Sequence, residues 1–251
     1  MRIIVVSICS LVVFFLGLFT VKFWGKALTF PEYNHSMLQV QANPIEFIRP
    51  SYEHLTETLA SNKNIFLDVT VTFDQKLVIP KRKFAATEKP IKLFKYDEIK
   101  NDVLLVVELK EQLLKRKIIF NLVDNARAIH ETFIFDLKAM SIEKGDNFIV
   151  TSQYEAPIKA LKELAPAFVY GSTQPEILKI VAMQSMYLLE AVTIRADVII
   201  HPIKIRNQIF YNDDILQELK RRHKKIIVGP IGKDELQLAL QLKPYAIILN
   251  D

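Results

Sequence analysis

The stretch IFLDVTVTFDQKLVI, residues 65–79, decides the fold. Its first eight residues are apolar or β-branched apart from Asp68, which is the composition of a strand buried on both faces, as in a parallel sheet. Asp74 and Gln75 supply a turn, and residues 76–79 form a short return run. Strand alternation puts Phe66, Asp68, Thr70 and Thr72 on one face, so Phe66 places apolar filling next to one carboxylate. Working outward, similar short runs recur at 38–42, 118–123, 148–152, 168–170, 197–201, 226–229 and 246–249. Longer amphipathic patterns separate them at 51–60, 104–115, 126–140, 156–164, 175–191, 213–222 and 234–242. Strands alternating with helices predict a parallel sheet with crossover helices, and the count predicts an α/β (β/α)8 TIM barrel lacking its last helix. The segment before strand one is expected to cover that gap. An open doubly wound sheet is the alternative fold.

Composition narrows the function classes. The chain has 251 residues, 50% hydrophobic and 24% charged, ordinary globular usage that argues against disorder. Of 33 basic residues Arg2, Lys22 and Lys26 belong to the N-terminal segment, leaving 30 against 28 acidic ones, so no nucleic-acid partner is expected. A single cysteine, Cys9, excludes an internal disulfide or a thiolate zinc site. Six glycines write neither GxGxxG nor GxxxxGK[ST], which excludes a glycine-rich nucleotide cradle.

Residues 3–21 carry no charge, close to the roughly 20 needed to span a bilayer as a helix. Gly25-Lys26-Ala27 makes a poor cleavage site, so an uncleaved anchor over 1–26 is expected in preference to a signal peptide, with Cys9 facing lipid. A linker over 27–37 and a barrel over 38–251 complete the expected organisation. The expected location is a membrane with a single-pass N-terminal helix and, from the very short N-terminal tail, the barrel outside the cytoplasm.

In a TIM barrel, chemistry sits at the C-terminal ends of the strands. That selects Gln41, Asp68, Asp124, Asn125, Ser152, Gln153, Tyr170, His201, Lys204 and Asp251. Residues 58–82 resemble the strand-two region of the glycerophosphodiester phosphodiesterase family, in which an E-x-D pair is followed by T-x-D-G and a V-V-H-D return strand. Further stretches align in order: Tyr96-Asp97-Glu98-Ile99, Phe120-Asn121-Leu122, Ile149-Val150-Thr151-Ser152, residues 161–171 and residues 247–251. The resemblance covers most of the chain beyond the N-terminal segment. It implies a barrel that cleaves phosphodiesters with two histidines as acid and base and a carboxylate-held divalent cation.

The residues this implies are mostly absent. Phe66 stands at the glutamate of E-x-D, Pro80 and Lys81 replace the return-strand histidine and aspartate, and Val123 and Asn125 stand at the strand-three glutamate and lysine. The histidine-arginine pair near strand one has only Gln41-Ala42 close by. Asp68 alone survives, a vestigial metal ligand; with Gln41 and Asn125 it would hold Mg²⁺ or Ca²⁺ only weakly, and Asp124 could join only by a one-residue shift. No cofactor is expected beyond such a cation. Of the histidines, only His201 is placed for catalysis, and without a named partner it more often satisfies a local hydrogen bond. Ser152 lacks a nucleophile elbow. His201 with Lys204 could bind a phosphorylated ligand.

Two basic clusters remain. Residues 76–100 hold eight basic residues against three acidic ones. Lys220, Arg221, Arg222, Lys224 and Lys225 close a helix before strand seven, where the helix dipole accounts for part of them and anionic headgroups for the remainder. The expected function is a membrane-anchored phosphodiesterase-like barrel, catalytically degenerate and kept for binding or interaction. The alternative is a weak or altered metal-dependent phosphodiesterase acting on lipid-derived phosphodiesters.

Overall fold

Strand β1, Ile45–Arg49, lies between prolines 44 and 50 and pairs in parallel with strands on both sides. The computed structural model describes residues 2–39, 41–85, 88–125, 128–140, 145–205 and 208–251, with the side chains of 2–11, 14 and 18 outside the description. From β1 the sheet runs one way through β2 (Asn64–Val71), β3 (Ile118–Leu122), β4 (Phe148–Ser152) and β5 (Val169–Tyr170). In the other direction it runs through β8 (Ala246–Asn250) and β7 (Lys225–Ile231) to β6 (Val198–His201). A single parallel bridge, Gly171 to Val198, joins β5 to β6 and nearly closes the barrel, so the open doubly wound alternative does not hold. The return run is a strand, Leu77–Pro80, antiparallel to the end of β2, and a further strand, Val103–Leu105, pairs with it where a helix was expected.

Alternation along the strands builds two kinds of core. Inward residues, among them Ile45, Phe47, Phe66, Ile119, Ile149, Val198, Ile227 and Ile248, fill the barrel. Outward residues such as Leu67, Phe120 and Phe148 pack under the helices, with Phe133 of helix Ile129–Ala139 edge-on to both rings. Burying one such ring stabilises by about 1.5–3 kcal/mol. Arg116 is buried and donates to the carbonyls of Thr58 and Leu59, serving orphan acceptors at the end of helix Leu55–Ala60.

Strand one was expected at 38–42 and lies at Ile45–Arg49 instead. Met37 and Leu38 are apolar because they close the bottom of the barrel, beside Ile45, Ile227 and Ala246; residue 40 lies outside the described residues. The segment before β1 therefore fills the bottom mouth, with the Tyr245 hydroxyl donating to the Met37 carbonyl, and is not a substitute outer helix. Helix Arg2–Ala27 precedes it, about 39 Å long at 1.5 Å per residue. Among the described residues no helix is long and apolar enough to cross a membrane. Much of the apolar run 3–21, Cys9 included, lies among the side chains outside them. Of those described, Val12, Val13, Phe15, Leu16, Phe19, Phe23 and Trp24 are all exposed.

Candidate functional site

At the top of the barrel three inward side chains meet. Arg49 ends β1, Asp68 stands in β2, and Asn121 stands in β3 at the same level, since Asp68 and Asn121 are register partners. Arg49 Nη2 donates to Asp68 Oδ2 at 2.7 Å, and Asn121 Nδ2 donates to Oδ1 at 2.6 Å. Both carboxylate oxygens are thus engaged by N–H donors. Beneath them the Phe66 ring lies 5.4 Å from the guanidinium carbon of Arg49, which it faces as a cation–π partner. The cleft above, about 340 Å³, is lined by Arg49, Ser51, Tyr52, Asp68, Asn250 and Asp251. At its rim His54 Nδ1 lies 3.2 Å from Asp251 Oδ2.

A divalent cation needs several oxygen ligands, and the residues present do not fit one. The carboxylate is shared between a guanidinium and an amide, and the guanidinium brings its own positive charge to where a cation would sit. Among the described residues no group of three or more His, Cys, Asp or Glu could hold a metal. In the register of the two strands it is Asn121 that stands level with Asp68.

Of the other expected site residues, Asp251 lines the cleft with Asp68; those that follow lie outside its lining. Gln41 precedes β1 and lies at the bottom of the barrel, a correction that follows from the misplaced strand. Asp124 accepts a hydrogen bond from the Thr70 hydroxyl, and Asn125 is exposed in the loop before 126–127, which are outside the described residues. Ser152 is buried, donating to the Leu122 carbonyl at 2.7 Å and accepting from the Tyr154 amide, a strand-end role. His201 packs against Phe210, its Nδ1 2.8 Å from the Pro202 carbonyl oxygen, and burial pushes its pKa below the ordinary value. Lys204 pairs with Glu235 at 3.6 Å, so it does not join His201 in a phosphate site. In the basic rim, Arg82 is consumed by Glu88 and Asp102.

Arg49 and His54 are what sequence reasoning missed; Asp251, which His54 faces, was among the expected residues. The signal for Arg49 was the alternating stretch IEFIR held between two prolines.

The bottom cluster also divides. Arg222 is buried; it donates to Glu218 through Nε at 2.6 Å and to the carbonyls of Val192 and Glu190. Arg221 donates to the same Glu218 at 2.7 Å and to the carbonyls of Gly25, Lys26 and Leu28, serving orphan acceptors at the end of helix Arg2–Ala27. Phe30 lies under both guanidinium groups, 5.1 and 4.7 Å away. Arg221 holds the end of the N-terminal helix and Arg222 is buried against residues 189–192, so neither forms an open charged surface, contrary to expectation.

No family model matches the chain, and no curated protein matches it. Solved structures match across most of its length. A putative glycerophosphoryl diester phosphodiesterase from Silicibacter pomeroyi aligns at 12% identity with a TM-score of 0.63, covering 86% of this chain and 94% of that one. A glycerophosphodiester phosphodiesterase from Parabacteroides distasonis aligns at 15% identity and TM-score 0.59, covering 84% and 94%. A phosphodiesterase from Oleispira antarctica, solved in complex with the product sn-glycerol-3-phosphate, aligns at 14% and 0.57, covering 82% and 92%. The chain is a TIM-like α/β barrel. Its fold is that of the glycerophosphodiester phosphodiesterases.

Proposed function

We propose that this chain is a membrane-anchored, phosphodiesterase-like barrel that has given up metal-dependent hydrolysis and binds anionic ligands in its top cleft. One observation carries the reading: Arg49 donates to Asp68 at 2.7 Å, so a guanidinium supplies the positive charge that a divalent cation would bring. Asn121 takes the remaining oxygen. Arg49 stays partly exposed to the cleft, where its unspent N–H donors suit a phosphate or carboxylate.

The anchor rests on the uncharged run 3–21 and on the exposed apolar side chains of helix Arg2–Ala27, which water solvates poorly. The barrel lies outside the cytoplasm in this reading, as the short N-terminal tail favours.

Titration calorimetry of Mg²⁺ and Ca²⁺ into the detergent-solubilised full chain tests the site. No saturable heat is expected up to millimolar cation; binding lost in Asp68→Ala would refute the reading. For the anchor, carbonate washing should leave the chain in the membrane pellet.

A second reading draws on the His54–Asp251 pair at the cleft rim. A histidine oriented by a carboxylate can move a proton, and beside Arg49 it could serve hydrolysis without a metal. Metal-independent cleavage abolished by His54→Ala would favour it.

A further inference from the structure

The bottom face holds a groove of about 630 Å³ that the phosphodiesterase resemblance does not use. Three connections build it: residues 41–44 before β1, the end of helix Asp213–Arg221 running into β7, and the loop before β8. They bring Lys220, Lys224, Lys225 and Lys243 together with the side-chain amides of Gln41 and Asn43, and no aspartate or glutamate lines the groove. Its size falls in the range of small-ligand sites.

The lysines differ from the arginines next to them. Arg221 and Arg222 share Glu218, whereas none of the four lysines has an ion-pair partner among the described residues. Lys224 is also half-buried, and burial pushes its ammonium below the ordinary lysine range. Like charges gathered around a concavity raise one another's energy and attract a counter-ion of matching charge. Lys243 adds a left-handed backbone, φ 48°, which non-glycine residues seldom adopt.

We infer that this groove binds the phosphate-bearing headgroup of an anionic phospholipid. Phosphate chemistry follows from the lining itself, four lysines and two side-chain amides with no carboxylate among them; Lys224 also senses Asp197 and Glu176 behind the groove, so Lys220, Lys225 and Lys243 carry the argument. The lipid source follows from position: Arg221, next in sequence to Lys220, holds the carbonyls of Gly25, Lys26 and Leu28 where the N-terminal helix ends. That helix end carries Lys22, Phe23, Trp24 and Lys26, the residue types that settle at a bilayer interface. The choice of a bilayer source rests on the proposed anchor, while the phosphate chemistry stands on the groove alone.

The test uses the full chain in neutral maltoside micelles and soluble short-chain lipids, so it does not depend on membrane insertion. Dihexanoyl phosphatidylglycerol is expected to bind at least about tenfold more tightly than dihexanoyl phosphatidylcholine, and to weaken as salt rises from 50 to 500 mM. Combining Lys220→Gln, Lys225→Gln and Lys243→Gln should cut that affinity by about tenfold or more, and the matching Lys→Arg set should keep it within about threefold. If the glutamine set loses its circular-dichroism melt, Lys243→Gln alone replaces it, with about a threefold loss expected. Equal binding of both lipids, or unchanged affinity in the glutamine variant, would overturn the inference. Glycerol 3-phosphate binding as tightly as phosphatidylglycerol would overturn the lipid assignment. Failure of the anchor reads out separately, as release by carbonate.

Discussion

Glu218 is the residue whose removal should be felt most. Its side chain is 7% exposed and receives Arg222 Nε at 2.6 Å and Arg221 Nη2 at 2.7 Å. The Arg222 side chain is 3% exposed, so Glu218→Ala leaves a guanidinium buried without its counter-charge. Breaking one side of a buried pair costs about 3–5 kcal/mol. Arg222 keeps the carbonyls of Val192, Leu189 and Glu190, which places the expected loss at the lower end, about 3 kcal/mol. The Arg221 contribution is discounted, because its side chain is 28% exposed. For a chain of this size about 3 kcal/mol corresponds to a fall of roughly 6–12 °C in Tm. Glu218→Gln keeps an acceptor without the charge and should fall between parent and alanine variant. The assay is a thermal melt of the full chain in neutral detergent, paired with limited proteolysis across residues 28–35, where a loosened Arg221 should expose the chain. A loss below about 1 kcal/mol, with proteolysis unchanged, would refute the clamp.

Other expectations concern the barrel itself. A double-mutant cycle on Arg49→Ala and Asp68→Ala should give a coupling of about 1–2 kcal/mol in denaturant unfolding, above an exposed pair and below a buried one, because the side chains are 39% and 26% exposed; coupling near zero would contradict the bond. Gly229→Ala should destabilise by more than about 2 kcal/mol, since φ is 139° and a Cβ would lie 2.5 Å from the Ile248 carbonyl oxygen; a near-neutral melt would contradict that approach. Burial lowers the folded pKa of His201, so the unfolded chain binds the proton more readily. The His201 contribution to stability is then full above about pH 6.5, the unfolded value, and declines as pH falls from there through the lower folded value. His201→Gln should flatten that part of the stability profile, and an unchanged slope would sink the assignment.

How much of this was legible in the sequence differs by element. Residues 65–79 showed a buried strand, a turn and a return run because burial on both faces leaves a near-continuous apolar stretch, and β2 with its antiparallel partner matches it. Strand one was displaced because Met37 and Leu38 are apolar for another purpose, plugging the barrel bottom, and the next residues alternate well enough to imitate a strand. That one displacement hid Arg49, the partner of Asp68, and put Gln41 at the wrong end. Asp68 itself was found, since it is the one charged residue in the stretch 65–73. Its partners come from strands 19 and 53 residues away, a proximity that only the closed register creates. Arg221 and Arg222 read as surface charge because sequence shows sign and not burial, although Glu218 at the i, i+3 and i, i+4 spacings was the available signal.

The central claim is that Arg49 stands in for a cation and that metal-dependent hydrolysis is gone. Incubating the purified full chain with glycerophosphocholine and glycerophosphoethanolamine in Mg²⁺, Ca²⁺ or Mn²⁺, and measuring glycerol 3-phosphate release, tests it directly. The account predicts the same release from parent, Asp68→Ala and chelator-treated protein, at the level of the buffer blank. Release that requires the cation and disappears in Asp68→Ala would contradict it.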